Sequence, residues 1–330
     1  MVHFERLPTQ GVYSIERVFR ELRLALPGGF SVDIARCPSA GRSRWWLPAG
    51  VMHAHASRGE VNHITGDVHY VALALPGRRT ILTVHDVNHL DDLRGPRRQI
   101  FRWLYFTLPL RKCQIVTCVS EHTRQRLVEG FPWVASKVRV IPDCVPDGFG
   151  AVPKAFNKSC PRILQLGTRP NKNLERLAEA LAGERCFFHI VGRLTERQRR
   201  VLAASRIAYQ NDVDLSDEAL RRVYEEADLV AFVSLAEGFG LPIIEANAIG
   251  RAVVTSDASP MKEVAGGAAC LVNAYDVDEI RAGIRRVITD DTYRDHLIEK
   301  GYKNAARFSA ELVAEQYAQL YQEVLASCRA

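Results

Sequence analysis

The 330-residue sequence lacks several features that would assign it quickly. It has no run of uncharged apolar residues long enough to cross a bilayer, so no transmembrane helix is expected. The opening stretch MVHFERLPTQG has no apolar core of a secretion signal. The eight cysteines, at 37, 113, 118, 144, 160, 186, 270 and 328, form no C-x-x-C pair and no dense framework. They read as reduced thiols of a cytoplasmic protein. No low-complexity segment appears, and no repeat beyond a recurring strand–helix rhythm. No RNA- or DNA-binding module is recognisable, so nucleic acid is not an expected partner. Metal signals are thin. In HDVNH, His85 and His89 stand four apart with Asp86 between them, but no further cluster supports zinc. Asp-Val-Asp occurs at 212–214 and 276–278, where turn acids are the simpler reading. No metal or other cofactor is expected.

What is present suits a soluble two-domain chain. Hydrophobic residues make up 47% and charged residues 25%, ample for a core. The net charge of +6 is uneven: residues 1–150 carry 20 Lys/Arg against 13 Asp/Glu, and the remainder 24 against 25. The basic first half hints at an acidic or membrane-surface partner.

The second half alternates short apolar runs with helical periodicity. Strands are expected at 162–167, 187–192, 206–210, 228–234 and 252–257. Helices are expected from NLERLAEALAG, from 216–227 opened by Ser216, and from Pro242 to Gly250. The first half repeats the rhythm more loosely, with strands at 30–35, 61–65, 80–85, 114–120 and 137–142. Its helices are expected at 14–26 and 121–130. PDCVPDGFGAVP (142–153) has linker composition, which sets a boundary between 1–150 and 151–310. A last helix, about 310–326, could cover either domain. The fold class is α/β, with doubly wound parallel sheets.

RGPRRQIFRWLYFTLPLRK (94–112) is basic and free of acids, with Phe101, Trp103, Tyr105 and Phe106 interleaved. It reads equally as a helix on an anionic membrane or as a buried helix with basic ends.

SLAEGFGLPIIEANAIG (234–250) carries the chemistry. Glu237 follows a strand end, where ligands of doubly wound sheets sit, and Glu245 is expected in the first turn of the next helix. Gly238 and Gly240 allow close approach, while Phe239, Gly240 and Leu241 offer N–H groups near a helix start that favours anions. Carboxylates repel phosphate but hydrogen-bond sugar hydroxyls. LGTRPNKNL adds the cations: Gly167 permits a turn, and Arg169 and Lys172 precede a helix. Two acids for sugars and two bases for phosphate point to a nucleotide diphosphate sugar.

EGFGLPIIEA resembles the E-x7-E signature of retaining GT-B glycosyltransferases, in particular family four. LGTRPNKNL, CVSEHTRQRL, KVRVIPDCVPDGF and SDASPMKEVAGGAACLVNAYD resemble other family segments in order and spacing, over about residues 80–330. The resemblance implies two Rossmann-like domains facing a cleft that closes on its substrates. It implies transfer of a mannose- or glucose-like hexose from a GDP- or UDP-linked donor, with retention and without an obligatory nucleophile. The acceptor would be a glycan or lipid-linked molecule of a bacterial surface polysaccharide, with the enzyme cytoplasmic or at the inner membrane face. Glu237 would contact the transferred sugar, Glu245 the ribose, and Arg169 and Lys172 the leaving diphosphate. His85 would lie near the donor sugar, and Glu263 would be structural or at the cleft edge. Gly11 matches a Gly-Gly loop of many members with a single glycine, Thr168 stands where many have Arg, and Cys144 where Gly is common. A nucleotide-sugar epimerase or phosphorylase of the same fold, or a non-catalytic partner subunit or membrane module, are the other readings.

Overall fold

The computed structural model describes residues 1–7, 14–38, 46–88 and 94–328. Gly11 and His89 lie outside the described residues. The chain forms two compact units, Met1–Cys144 with Ala310–Ala330, and Val145–Ser309. The division falls at 144/145 rather than 150/151, and the C-terminal helix Ala310–Ser327 groups with the first unit.

The first unit holds six parallel strands: β1 Val2–Arg6, β2 Asp33–Cys37, β3 Asn62–Ile64, β4 Thr80–Val84, β5 Ile115–Cys118 and β6 Val138–Val140. Their order is β2-β1-β3-β4-β5-β6. A parallel sheet is covered on both faces, and Phe4, Ile64, Leu82 and Val116 are fully buried. The strand order turns back between β1 and β3, the switch point of a flavodoxin-like sheet.

One face of this sheet is polar and yet buried. The imidazoles of His3 and His63 both bond the Tyr321 hydroxyl, at 3.1 and 2.8 Å. His63 also meets the Thr83 hydroxyl at 2.7 Å, and Thr83 meets Thr117 at 2.7 Å. Tyr317 and Tyr321 belong to the helix Ala310–Ser327, so that helix is fastened by hydrogen bonds as well as by apolar packing. Burial pushes the His63 imidazole down to about 3, helped by nearby His85, and holds His3 well below its ordinary value. Both are neutral at pH 7.

The 94–112 segment combines its two expected characters along its length. Helix Gly95–Phe101 is followed by a π-helical turn, Arg102–Thr107, and by helix Leu108–Lys112. Tyr105, Phe106 and Leu110 are buried, whereas Ile100 and Trp103 are 65% and 57% exposed. Strand β1 and the helix Trp46–Ala56 were not expected from the sequence.

The second unit has β7 Arg162–Leu166, β8 Phe187–Val191, β9 Ala208–Asp212, β10 Leu229–Phe232, β11 Ala252–Ser256 and β12 Cys270–Val272. Their order, β12-β11-β10-β7-β8-β9, is that of a Rossmann sheet. The switch point falls between β7 and β10, which pair Ile163 with Leu229 and Leu164 with Val230. Helices start where capping chemistry says they should. Ser216 accepts from Ala219 N–H, and Thr195 with Gln198 closes a capping box before the helix Glu196–Ser205. That helix, and Val277–Thr289 and Asp291–Ala306, had not been singled out in the sequence.

Candidate active site at the β7–β10 switch point

Both motif loops leave the carboxyl ends of the two central strands. Gly167, directly after β7, has φ +84°, and a Cβ there would stand 3.0 Å from Lys172 Cγ and Cε. Glycine therefore permits the turn and also leaves room for the lysine to fold back across it. The loop runs through the 3-10 turn Pro170–Lys172 to Asn173, which adopts the left-handed conformation at φ 60°, a state asparagine tolerates. Its amide nitrogen donates to Val233 O at 3.1 Å and to Ala274 O at 2.7 Å.

The second loop, after β10, is stitched to the first. Leu235 N–H donates to Asn171 O at 2.7 Å, and Asn171 Nδ2 donates to Ala236 O at 2.9 Å and Glu237 Oε1 at 3.3 Å. Lys172 Nζ meets the same Glu237 Oε1 at 2.7 Å and lies 4.7 Å from the Phe232 ring centre. Their side chains are 19% and 14% exposed, so the ion pair is largely but not fully withdrawn from water. Two residues assigned to different tasks, one to sugar and one to phosphate, are thus in direct contact. Arg169, by contrast, is exposed and makes no side-chain hydrogen bond or ion pair among the described residues.

The helix Leu241–Ile249 begins one residue before the expected Pro242, because Gly240 at φ +115° takes the cap position. No side chain caps it, so its first N–H groups rely on other acceptors. Glu245 is consequently not in the first turn, as expected, but a turn deeper. It is 2% exposed, and its Oε2 accepts a 2.5 Å hydrogen bond from the Tyr224 hydroxyl. That is a more enclosed position than a ligand-facing carboxylate suggests. Phe239 is buried edge-on against Phe308, with centroids 5.5 Å apart.

Family models for glycosyl transferases group 1 and for glycosyltransferase family 4 match residues 151–304 and 17–148. The chain belongs to the GT-B glycosyltransferases of the family four type. O-antigen chain mannosyltransferase B of Escherichia coli is 26% identical over 280 residues, which cover 75% of the transferase and 72% of the relative. The MMP alpha-(1->4)-mannosyltransferase of Mycolicibacterium hassiacum is 35% identical over 136 residues, 40% of the transferase and 33% of that protein. Sucrose-phosphate synthase from Thermosynechococcus elongatus matches with a TM-score of 0.75 at 18% identity, covering 99% of the transferase and 100% of that chain. HepE from Anabaena, solved in complex with UDP and glucose, matches at 0.73 and 15% identity, covering 97% and 99%. The last two are likenesses of fold.

The other sequence candidates of the transferase fall as follows. His85 follows β4 in the first unit, is 8% exposed, and contacts Thr65 O through Nε2 at 2.8 Å. Its Nδ1 stands 3.9 Å from Asp143, whose carboxyl is raised by burial, an effect that His85 opposes. Glu263 is exposed on the short helix Met261–Ala265. Of the Asp-Val-Asp acids, Asp212 accepts from His189 Nε2 at 2.7 Å, and Asp276 caps the helix Val277–Thr289. Both first acids therefore have structural partners. Among the described residues, no group of three His, Cys, Asp or Glu could hold a metal ion. All eight cysteines are free, and burial raises Cys37, Cys113, Cys118, Cys144 and Cys186 to about 12, so these stay protonated. Sequence reading missed Asn171, Asn173 and Tyr224. The signal available for the asparagines was their place beside a glycine turn and a helix start; for Tyr224 there was none.

Proposed function

We propose that the transferase moves a mannose- or glucose-like hexose from a GDP- or UDP-linked donor to a glycan or lipid-linked acceptor, with retention, in bacterial surface polysaccharide synthesis. The observation that carries this reading is the Lys172–Glu237 contact at the Rossmann switch point, with Arg169, nearby in sequence, unpaired among the described residues. A diphosphate brings negative charge that Arg169 and Lys172 neutralise, leaving Glu237 to accept hydroxyl hydrogen bonds from the sugar. The N–H groups of Phe239, Gly240 and Leu241 add positive potential at an uncapped helix start. Glu245, oriented by Tyr224, serves the ribose hydroxyls.

In the reaction the acceptor oxygen bonds to the anomeric carbon as the bond from that carbon to the β-phosphate oxygen breaks. The acceptor proton passes to the departing phosphate oxygen. The cations and helix N–H groups stabilise the negative charge that builds there, and the reaction asks for no protein nucleophile and no metal.

The relatives named as mannosyltransferases favour mannose over glucose as the first donor to try. The purified chain is offered GDP- and UDP-sugars, and released nucleotide is measured beside Glu237→Ala and Lys172→Ala. Slow release from one donor, lost in both variants, supports the assignment. Release that persists in both variants, or none from any donor together with no nucleotide binding, rejects it. Release proceeding at full speed to an isomerised or hydrolysed sugar with no acceptor turns the reading towards an epimerase.

A second element of the proposal is peripheral contact with the cytoplasmic membrane face through 94–103. It rests on exposed Ile100 and Trp103 beside exposed Arg94, Arg97 and Arg98. Cosedimentation with anionic vesicles, reduced by Ile100→Asp with Trp103→Asp, is the expected outcome; equal sedimentation of the variant removes this element.

A further inference from the structure

At the other end of the first sheet lies a second concentration of positive charge. A cavity of about 510 Å³ is lined by Gly77, Arg78, Arg111, Lys112, Gln114, Lys137 and Ser327, among others. These residues sit just before β4, β5 and β6, at the amino ends of the strands. His85, by contrast, follows the carboxyl end of β4. The cavity is therefore separate from the end of the sheet on which the donor residues were sought.

We propose that this cavity is a binding site for a phosphate ester that carries a free hydroxyl, such as a glycerol phosphate group. Four observations converge on it. First, among the described residues none of the four cations pairs with a carboxylate. Lys137 Nζ donates to Cys113 O at 2.8 Å, and Lys112 Nζ donates to Leu73 O at 2.5 Å. Carbonyls hold these ammonium groups in place without neutralising them. Arg111 and Lys137 lie 5.6 and 5.9 Å from the Trp133 ring centre, which orients them and again leaves their charge unmatched.

Second, the walls are built rather than draped. A Cβ on Gly77 would stand 2.3 Å from Lys112 O, and Gln114 N–H bonds both Gly77 O at 3.1 Å and Thr80 O at 3.0 Å. The loop before β4 and the loop before β5 are locked together, so the cations on them keep a fixed spacing. Third, Lys137 is lowered from its ordinary value by burial. A bound anion would relieve that cost. Fourth, Gln114 donates through Nε2 to the Ser327 hydroxyl at 2.8 Å, while its Oε1 is buried with no partner. An unmatched buried acceptor is costly, and a phosphate monoester, mostly a dianion at neutral pH, has no donor on its phosphate to offer it. A ligand hydroxyl supplies one. The cations thus select phosphate and the glutamine selects a hydroxylated ester.

Two sources share this chemistry: a soluble polyol or sugar phosphate, and the phosphoglycerol headgroup of a lipid. The cavity lies at the low end of the volume range of small-ligand sites, which fits either. The test uses the full chain in two arms. Thermal shift is measured with sn-glycerol 1-phosphate, methyl phosphate and glycerol, and cosedimentation with phosphatidylcholine vesicles with and without phosphatidylglycerol. Wild type is compared with Arg78→Gln/Arg111→Gln, two exposed positions whose loss leaves the carbonyl-held lysines in place, and with Gln114→Leu. We expect a shift with glycerol phosphate that exceeds the shift with methyl phosphate and is absent with glycerol. The double arginine variant should weaken binding about tenfold or more. Gln114→Leu should erase the preference for glycerol phosphate over methyl phosphate. A soluble-arm response assigns the site to a free ester, and a response confined to phosphatidylglycerol vesicles assigns it to lipid; either upholds the proposal. Wild type that responds in neither arm, or variants that respond like wild type, overturn it. Ile100→Asp/Trp103→Asp must leave the soluble-arm response unchanged, which separates this site from the membrane contact proposed above.

Discussion

Breaking the Lys172–Glu237 pair from either side should cost stability alike but should affect phosphate binding differently, and the difference tests the site as drawn. The Nζ–Oε1 distance is 2.7 Å, with side chains 19% and 14% exposed. Exposed pairs couple by roughly 0.2–1 kcal/mol, whereas removing one partner of a buried pair costs about 3–5 kcal/mol. A pair this far withdrawn from water should fall between, with a coupling energy of about 2 kcal/mol in a double-mutant cycle. The assay is urea unfolding followed by far-UV circular dichroism for wild type, Lys172→Met, Glu237→Gln and the double variant. Each single change leaves one charge without its counter-charge; the double change removes both charges, so it should cost about 2 kcal/mol less than the sum. Nucleoside diphosphate binding should split the pair. Lys172→Met should raise the Kd by about tenfold or more, because a cation facing phosphate is lost. Glu237→Gln should leave the Kd unchanged or lower it, because the lysine is released from its internal partner. Additive stabilities would refute the coupling. Equal weakening of diphosphate binding by both variants would refute the division of labour between sugar and phosphate.

Other outcomes follow from the same geometry. Tyr224→Phe removes the donor to Glu245 Oε2 and should destabilise the protein by about 1.5–3 kcal/mol; it should also raise the KM for donor more than it lowers kcat, and an unchanged KM would detach Glu245 from the ribose. Gly167→Ala puts a Cβ on a residue at φ +84° and 3.0 Å from Lys172, so thermal unfolding should show about 1–3 kcal/mol of strain along with weaker nucleotide binding. His63 is neutral when folded, at about 3 against 6.5 for its ordinary value, so the unfolded chain binds more protons between these values. Stability contributed by neutral His63 is fully present above pH 6.5 and is lost as pH falls. By pH 5 the loss should be about 2 kcal/mol. Urea midpoints at pH 7.5 and 5, with His63→Gln showing a flatter profile, check the sign.

Legibility in the sequence followed local chemistry. The helix Leu241–Ile249 was readable from Pro242 and Gly250, and Asp217–Glu226 from Ser216, because caps are written within a few residues of the ends they cap. The position of the two motif loops was readable because glycine turns mark the strand ends they leave, and the structure brings those loops into contact through Asn171, Lys172 and Glu237. Strand β1 was not. VHFER carries His3, Glu5 and Arg6 at positions that are all buried, and a polar run reads as surface. What makes those side chains tolerable inside comes from far along the chain. Tyr321 meets His3, and Arg23 meets Glu5 at 2.5 Å, while Glu16 and Asp67 hold Arg6. The helix Trp46–Ala56 was hidden similarly: it contains Pro48 and Gly50, and the glycine is there because a Cβ would meet the Tyr70 hydroxyl at 2.1 Å. Tyr224 belongs with these, since its tie to Glu245 spans two helices and no local pattern announces it.

The tyrosines of the helix Ala310–Ser327 have a consequence for the order in which the protein is made. Strands β1, β3, β4 and β5 are made before Val145–Ser309, yet the Tyr321 hydroxyl that His3 and His63 share emerges only after every residue of that segment. Until then one face of the first sheet waits with its imidazoles and threonine hydroxyls in water. The second unit, whose segments are contiguous, can close first, even though it is translated later. The nascent chain therefore carries a half-finished sheet while Val145–Ser309 is made, and its polar face suits that wait, since histidines and threonines are wetted at far lower cost than leucines would be.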